Sequence, residues 1–477
     1  MLAVISVLKR CDLHIFGTLK RLVLLLVCLG PLWAHAETRV PQSAAEITLS
    51  FAPLVRETAP AVVNIYARFV TESRRTPFMD DPFFDRFFEG FGRPEPRVQN
   101  SLGSGVILSA DGIIVSNYHV VGMATDIRVV LADRREFTAR VLLGDAESDL
   151  AILQLEGAED LPFLPLRTSD TVEVGELVLA IGNPFGVGQT VSSGIVSGLA
   201  RSGAATGSGR GYFIQTDAPI NPGNSGGALI DVRGELIGVN TSILTRSGGS
   251  NGIGFAIPSD LVAAFVAQAQ DGRTSFARPW AGMGGQPVDA EMAEAFGLER
   301  PGGIIISAMH ADSPFAQAGV SVGDVITAVD GQPVNTPPEM VYRMSVTGLG
   351  QRARISFLSG GEMRETEVRL IAAPDVPDRE ALTLGPDDIL PGLGLARVNP
   401  AVIAEFNLPL ESTGVVVTDA GRFGGRVGVR VGDVIVGIND RPVTRPRDVV
   451  DAFRARARNY ALSVIRGTQR VVLRFGV

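Results

Sequence analysis

From about residue 61 to residue 258 the chain alternates short apolar runs, rich in β-branched residues, with glycine, aspartate and asparagine. GVILS, IIVSN, IRVVL, LAILQLE, ELVLAIG and GELIGVN are the clearest runs. Runs of this length between turn residues read as strands. Between GVILS and IIVSN stands Asp111-Gly112, a pair that tolerates the positive φ a tight hairpin needs. Many short strands at regular spacing predict an all-β barrel or sandwich. One helix is predicted at the end of this region. Leu261, Val262, Phe265 and Val266 share one helical face, Ser259 is placed to cap it, and Gly272 to stop it.

Two stretches depart from the pattern. Within residues 70–100, PFMDDPFFDRFFEGFGRPEP has many phenylalanines but no period, and prolines interrupt it, so it reads as a long loop. Further on the pattern repeats: VGDVITAVDGQPV (322–334) returns as VGDVIVGINDRPV (431–443), preceded by GGIIIS and TGVVVT respectively. Two copies are too few for a solenoid and imply two sister domains. The expected division is a β domain over 37–275, the first copy over 276–372, a linker over 373–388 and the second copy over 389–477.

Composition adds compartment and partner class. The 477 residues, 45% hydrophobic and 20% charged, suit several ordinary globular domains. Lys9, Arg10, Lys20 and Arg21 precede LVLLLVCLGPLWA, and Ala34-His35-Ala36 follows it. That layout predicts a secretory signal peptide over 1–36, cleaved before Glu37, with no stable membrane anchor. Both cysteines, Cys11 and Cys28, lie in this leader, so the exported chain has neither a disulfide nor a cysteine nucleophile. Loss of the leader, with four basic residues and one acidic residue, takes the net charge from −8 to about −11. Such a balance argues against nucleic acid as a partner. His119 and His310 alone remain as imidazoles, too few for much of a metal site, and neither metal nor cofactor is expected.

The chemistry gathers on NPGNSGGALI, residues 221–230, where Ser225 stands among three glycines. A tight turn explains such a stretch, and so does a loop that presents a nucleophile. A serine nucleophile needs a base and a group to orient that base. His119 in SNYHVVG follows a predicted strand, and Asp149 in AESDLAILQL opens another. Each alone reads as a structural residue. Together they run His, Asp, Ser along one β domain, the chain order of chymotrypsin.

SNYHVV, SDLAIL and GNSGGAL, followed by two copies of VGDVI, resemble the HtrA (Deg) serine proteases of bacterial envelopes, and most closely the members with two PDZ domains. The resemblance extends to FAPLVRETAPAVVNI and to the aromatic stretch, and covers nearly the whole exported chain. It implies a mainly β molecule: a chymotrypsin-like double β-barrel protease domain followed by two α+β PDZ domains. Ser225 would attack a peptide carbonyl, His119 would act as base and then acid, and Asp149 would hold the imidazole. Gly223, Asn224 and Ser225 would form the oxyanion loop, and Ile220, Thr241 and Leu244 an S1 pocket for small aliphatic residues. Peptide carboxylates would bind at Trp280, Ala281, Gly282 and Met283 in the first PDZ copy and at Gly392, Leu393, Gly394 and Leu395 in the second. Ala281 stands where a larger apolar residue is usual, and His310 reads as a surface residue. The resemblance further implies an ATP-independent periplasmic endoprotease and chaperone acting on unfolded polypeptides. Apolar C-terminal peptides would activate it, and it would form homotrimers that can assemble into larger multiples. The residues leave open two rivals: a binding scaffold with an inactive protease domain, and an anchored regulatory protease. The second PDZ copy and the Ala34-His35-Ala36 site speak against the anchored form.

Overall fold

Two closed, six-stranded antiparallel barrels account for the series of short apolar runs. The computed structural model describes residues 50–71, 97–183, 188–202, 212–221, 223–243, 252–298, 300–455 and 457–476. The expected signal peptide, residues 72–96 of the aromatic stretch and Leu244 lie outside these. A helix α1 (Ala52–Thr58) precedes the first barrel. That barrel comprises β1 (Val62–Thr71), β2 (Arg97–Ile107), β3 (Ile113–Ser116), β4 (Asp126–Val130), β5 (Glu136–Asp145) and β6 (Leu150–Leu155), in the order β1-β2-β3-β6-β5-β4. Between β3 and β4 lies a single helical turn, α2 (Tyr118–Val121). The second barrel comprises β7 (Leu177–Gly182), β8 (Thr190–Ser202), β9 (Tyr212–Thr216), β10 (Ala228–Asp231), β11 (Leu236–Ile243) and β12 (Gly254–Pro258), in the order β10-β11-β12-β9-β8-β7.

The two-residue period of a strand decides which core each side chain joins. Ile114 packs inside the first barrel with Ile65, Ile107 and Leu153. Its neighbour Val115 points the other way, into a core shared by both barrels with Ile181, Ala228 and Phe255. Likewise Val178 and Ala180 fill the second barrel, while Leu179 and Ile181 join the shared core. Strands buried on both faces read as unbroken apolar runs. The groove between the barrels is therefore floored by well-packed strands.

The predicted helix is α3 (Ser259–Gln270), which buries Leu261, Val262 and Phe265. Its start differs from expectation. Pro258 is the N-cap and gives no side-chain cap, while Ser259 is already helical and its hydroxyl bonds the Arg167 carbonyl. The first-turn amide of Asp260 instead donates to Ser169 Oγ (3.0 Å), and the Asp260 carboxylate accepts from Ser169 N–H (2.8 Å). A residue distant in sequence thus does the work of a local cap.

Each sister copy is one sheet flanked by helices. The first has β13 (Met283–Pro287), β14 (Ile304–Met309), β15 (Val325–Val329), β16 (Gln332–Pro333), α4 (Pro337–Thr347), β17 (Arg352–Ser359) and β18 (Glu362–Arg369), with the order β13-β14-β15-β17-β18. The second has β19 (Leu382–Thr383), β20 (Gly394–Arg397), β21 (Val415–Asp419), β22 (Val434–Ile438), β23 (Arg441–Pro442), α5 (Pro446–Arg454), β24 (Asn459–Arg466) and β25 (Gln469–Gly476), with the order β19-β20-β21-β22-β24-β25. The extra strand β19 corrects the reading of 373–388 as a linker. Leu382 and Thr383 pair with Leu395 and Gly394, and Leu384 is buried in the second copy's core. An alternating Leu-Thr-Leu beside an open sheet edge has both the apolar side chains and the backbone groups to cover it.

The first copy is docked on the protease domain. Tyr342 of α4 enters the shared core beside Leu261 and Phe265, and its ring stacks on Tyr212 at 3.9 Å and 8°. Arg343 bonds Asp170 and donates to Tyr212 Oη (3.0 Å). Burial pushes the Tyr342 phenol far above its usual range, and burial raises Tyr212 too, so both stay protonated at neutral pH. Among the described residues no helix is long and apolar enough to cross a membrane.

Candidate active site

The site forms where the two barrels meet, and Asp149 organises it. Asp149 occupies the turn before β6 with φ +53, a conformation uncommon for a side chain with Cβ. Two donors hold its carbonyl: Tyr118 N–H (3.1 Å) and Asn117 Nδ2 (2.9 Å). Its carboxylate thereby faces α2. It accepts from the backbone N–H of His119 (3.0 Å), and His119 Nδ1 lies 2.8 Å from each carboxylate oxygen. Thr241 Oγ1 also donates to it (2.7 Å). With a carboxylate on Nδ1, the Nδ1 proton stays there and Nε2 keeps its lone pair.

Thr241 in turn connects the acid to the serine, because its carbonyl accepts from Ser225 Oγ (3.0 Å). Ser225 is nearly buried, 8% exposed. Its loop is tied to both barrels. Gly226 N–H donates to Asn240 O of β11 (2.8 Å), and Ser104 N–H of β2 donates to Ser225 O (2.9 Å). Gly226 has φ +81, and a Cβ there would overlap the Ser104 carbonyl. This close approach is why glycine follows the serine. Gly223, at φ +99, and Gly227, where a Cβ would overlap the Ile181 carbonyl, also need glycine.

The remaining expected site residues are placed less uniformly. Asn224 N–H is engaged by the Asn221 carbonyl (3.0 Å), so it brings no donor to an oxyanion. Ile220, expected in S1, is 1% exposed and packs in the second barrel's core with Ala218 and Leu229, because TDAPI turns its apolar end inward. The Thr241 hydroxyl, also expected in S1, is turned to Asp149. Leu244 lies outside the described residues. Thr241 as a partner of the acid was missed, and only an assembled barrel brings residues 92 positions apart together.

In the first sister copy Trp280 is buried, its N–H donates to Ile371 O (2.8 Å), and Gly282 has φ +62. Ser313 Oγ donates to Ala281 O (2.6 Å) and His310 N–H to Gly282 O (2.8 Å), so both carbonyls are tied back to the domain. Met283 opens β13. His310 is not a plain surface residue: it is half-buried and meets the Trp280 ring edge-on at 5.5 Å. In the second copy Gly392 N–H donates to Leu384 O (2.9 Å), and Leu393 O accepts from Leu384 N–H (2.9 Å). Leu393 and Leu395 are fully buried, and Gly394 opens β20.

One side chain joins the first copy to the turn that carries Asp149. Arg278, just before Trp280, donates to both carboxylate oxygens of Asp145 (2.5 and 3.2 Å) and to Ser148 Oγ (2.7 Å). Among the described residues no group of three or more His, Cys, Asp or Glu is placed to hold a metal.

Residues 103–239 match the family model of the trypsin-like peptidase domain, and residues 281–370 match that of the PDZ domain. The chain is 36% identical over 447 residues to a probable periplasmic serine endoprotease, DegP-like, of Pseudomonas fluorescens, covering 89% of this chain and 92% of that protein. It is 36% identical over 427 residues to the periplasmic pH-dependent serine endoprotease DegQ of Escherichia coli, covering 89% and 90%. Among solved structures, the HtrA-type protease AlgW with decapeptide is 40% identical with a TM-score of 0.51, covering 68% of this chain and 99% of that one.

Proposed function

The chain belongs to the DegP/DegQ group of HtrA-type serine endoproteases, and from that premise we propose that Ser225, His119 and Asp149 are its catalytic triad. The observation that carries this is the continuous set of contacts through Asp149: imidazole Nδ1 on one side, and Thr241 with the Ser225 hydroxyl on the other. His119 Nε2 takes the Ser225 proton as Oγ attacks the scissile carbonyl. The imidazolium that forms is stabilised by Asp149 and returns the proton to the leaving amine. Water then repeats the sequence on the acyl-enzyme. The N–H groups of Gly223 and Ser225 bind the oxyanion, and one such donor contributes roughly 3 kcal/mol.

The substrates are unfolded polypeptides in the periplasm, and the family resemblance points to cuts after small aliphatic residues, in an S1 pocket that Ile220, packed in the second barrel's core, does not line. Peptides with apolar C-termini add to the edge of β13, their carboxylate at the loop 280–283. AlgW with a bound decapeptide supports a peptide ligand for this class of fold. Chaperone activity and a homotrimer complete the reading. Casein digestion by wild type and Ser225→Ala tests it. The variant should fold and cut nothing, whereas retained turnover would remove Ser225 from the mechanism. Mass spectrometry of the fragments tests specificity, and a majority of cuts after basic residues would contradict the S1 assignment.

A further inference from the structure

Ser104 lies in β2, in the other barrel from the serine loop, and no exposed part of it remains. Its hydroxyl donates to the Gly223 carbonyl (2.6 Å) and accepts from Asn183 N–H (2.8 Å), at the end of β7. Its backbone N–H donates to the Ser225 carbonyl (2.9 Å), and its own carbonyl accepts from Ser116 Oγ (2.8 Å). Every polar atom of Ser104 is therefore engaged, and two of the bonds reach the residues flanking Asn224. A hydroxyl on a single-carbon stem is the smallest group that can donate to one backbone unit and accept from another.

We propose that Ser104 is a positioning residue for catalysis, one that holds the oxyanion donor Gly223 in place. The 223–224 peptide unit is fixed at both polar ends, its oxygen by Ser104 Oγ and its N–H by the Asn221 carbonyl (3.0 Å). A shift of the loop that would carry the Gly223 N–H off the oxyanion position has to break the bonds that fix this unit, and the unit also anchors the Cα on which that N–H turns. Ser104 therefore opposes collapse of the hole without touching substrate. A preorganised donor stabilises the transition state more than the bound substrate, so the effect belongs in kcat.

The inference rests on Ser225 being the nucleophile, and the casein test of Ser225→Ala decides that separately. Ser104→Ala should lower kcat roughly 10- to 100-fold, somewhat less than outright removal of an oxyanion donor, with KM within about twofold. Affinity for a peptide boronate, whose tetrahedral adduct places an oxygen in the hole, should fall by the same factor as kcat/KM. Ser104→Thr, which keeps the hydroxyl, should restore most of both. If Ser104→Ala does not fold, Ser104→Cys decides by the same two readouts, since a thiol fills the space but donates weakly. The proposal is overturned if kcat stays within twofold of wild type, or if kcat falls while boronate affinity does not.

Discussion

The two sister copies share a motif and a sheet order yet treat the same edge differently. In the first, β13 ends the sheet among the described residues, and the loop before it is joined through Arg278 to the turn that carries Asp149. In the second, β19 from the connecting segment lies on the corresponding strand β20, and Leu384 fills the loop before it. An exposed strand edge invites an added strand, and a covered edge does not. Sequence similarity between the copies therefore does not carry over to equal peptide binding. Among the described residues the first copy has an available edge and a bonded path to the turn that carries Asp149, and the second has a covered edge.

The largest effect should come from undocking the first copy. Tyr342→Ala removes a buried ring from the shared core and its stack on Tyr212, which should destabilise the interdomain joint by about 3 kcal/mol. Calorimetry should then resolve two transitions where wild type shows the protease and first copy melting together. A chain ended after Pro279, which retains Phe276 stacked on Phe265 at 3.9 Å, should keep its protease fold and lose stimulation by peptide. Equal stimulation of that chain would place the activating site in the protease domain.

Next in size is a paired test of the two loops. Gly282→Val must hold a β-branched residue at φ +62 against the Trp280 ring, and should weaken binding of a labelled peptide with an apolar C-terminus at least tenfold. Gly392→Val at φ +81 should change it less than twofold, because that loop is already occupied. Fluorescence anisotropy measures both, and equal losses would break the comparison. A smaller effect is expected at the joint to the acid. Arg278→Gln should lower kcat/KM about fivefold, and a cycle with Asp145→Asn should return a coupling energy of about 1 kcal/mol. The smallest concerns the covering strand: Leu384→Pro, which removes the N–H bonded to Leu393 O, should loosen β19 and give the second copy weak, newly measurable peptide binding.

What the sequence made legible follows the range of each interaction. Strands, the Asp111-Gly112 hairpin and the sister copies all declare themselves within a dozen residues, and so does the glycine setting of Ser225. The helix at 259–270 was legible by its apolar face, but its cap was not, because Ser169 supplies it from 91 positions away. Thr241 and Ser104 illustrate the same limit. Nothing beside them in sequence distinguishes a threonine turned to Asp149, or a serine bonded to Gly223 across 119 residues, from ordinary strand residues. Ile220 shows the converse: an apolar residue near Ser225 suits a pocket or a core equally well by pattern, and barrel closure puts it in the core.

The central claim, that Ser225 is a nucleophile activated by His119 and Asp149, is tested most directly by reaction with a fluorophosphonate probe followed by peptide mapping. The expected result is one adduct, on Ser225, that forms in wild type, slows by several orders of magnitude in His119→Ala and is absent in Ser225→Ala. An adduct on a different residue, or unchanged labelling of Ser225 without His119, would contradict it.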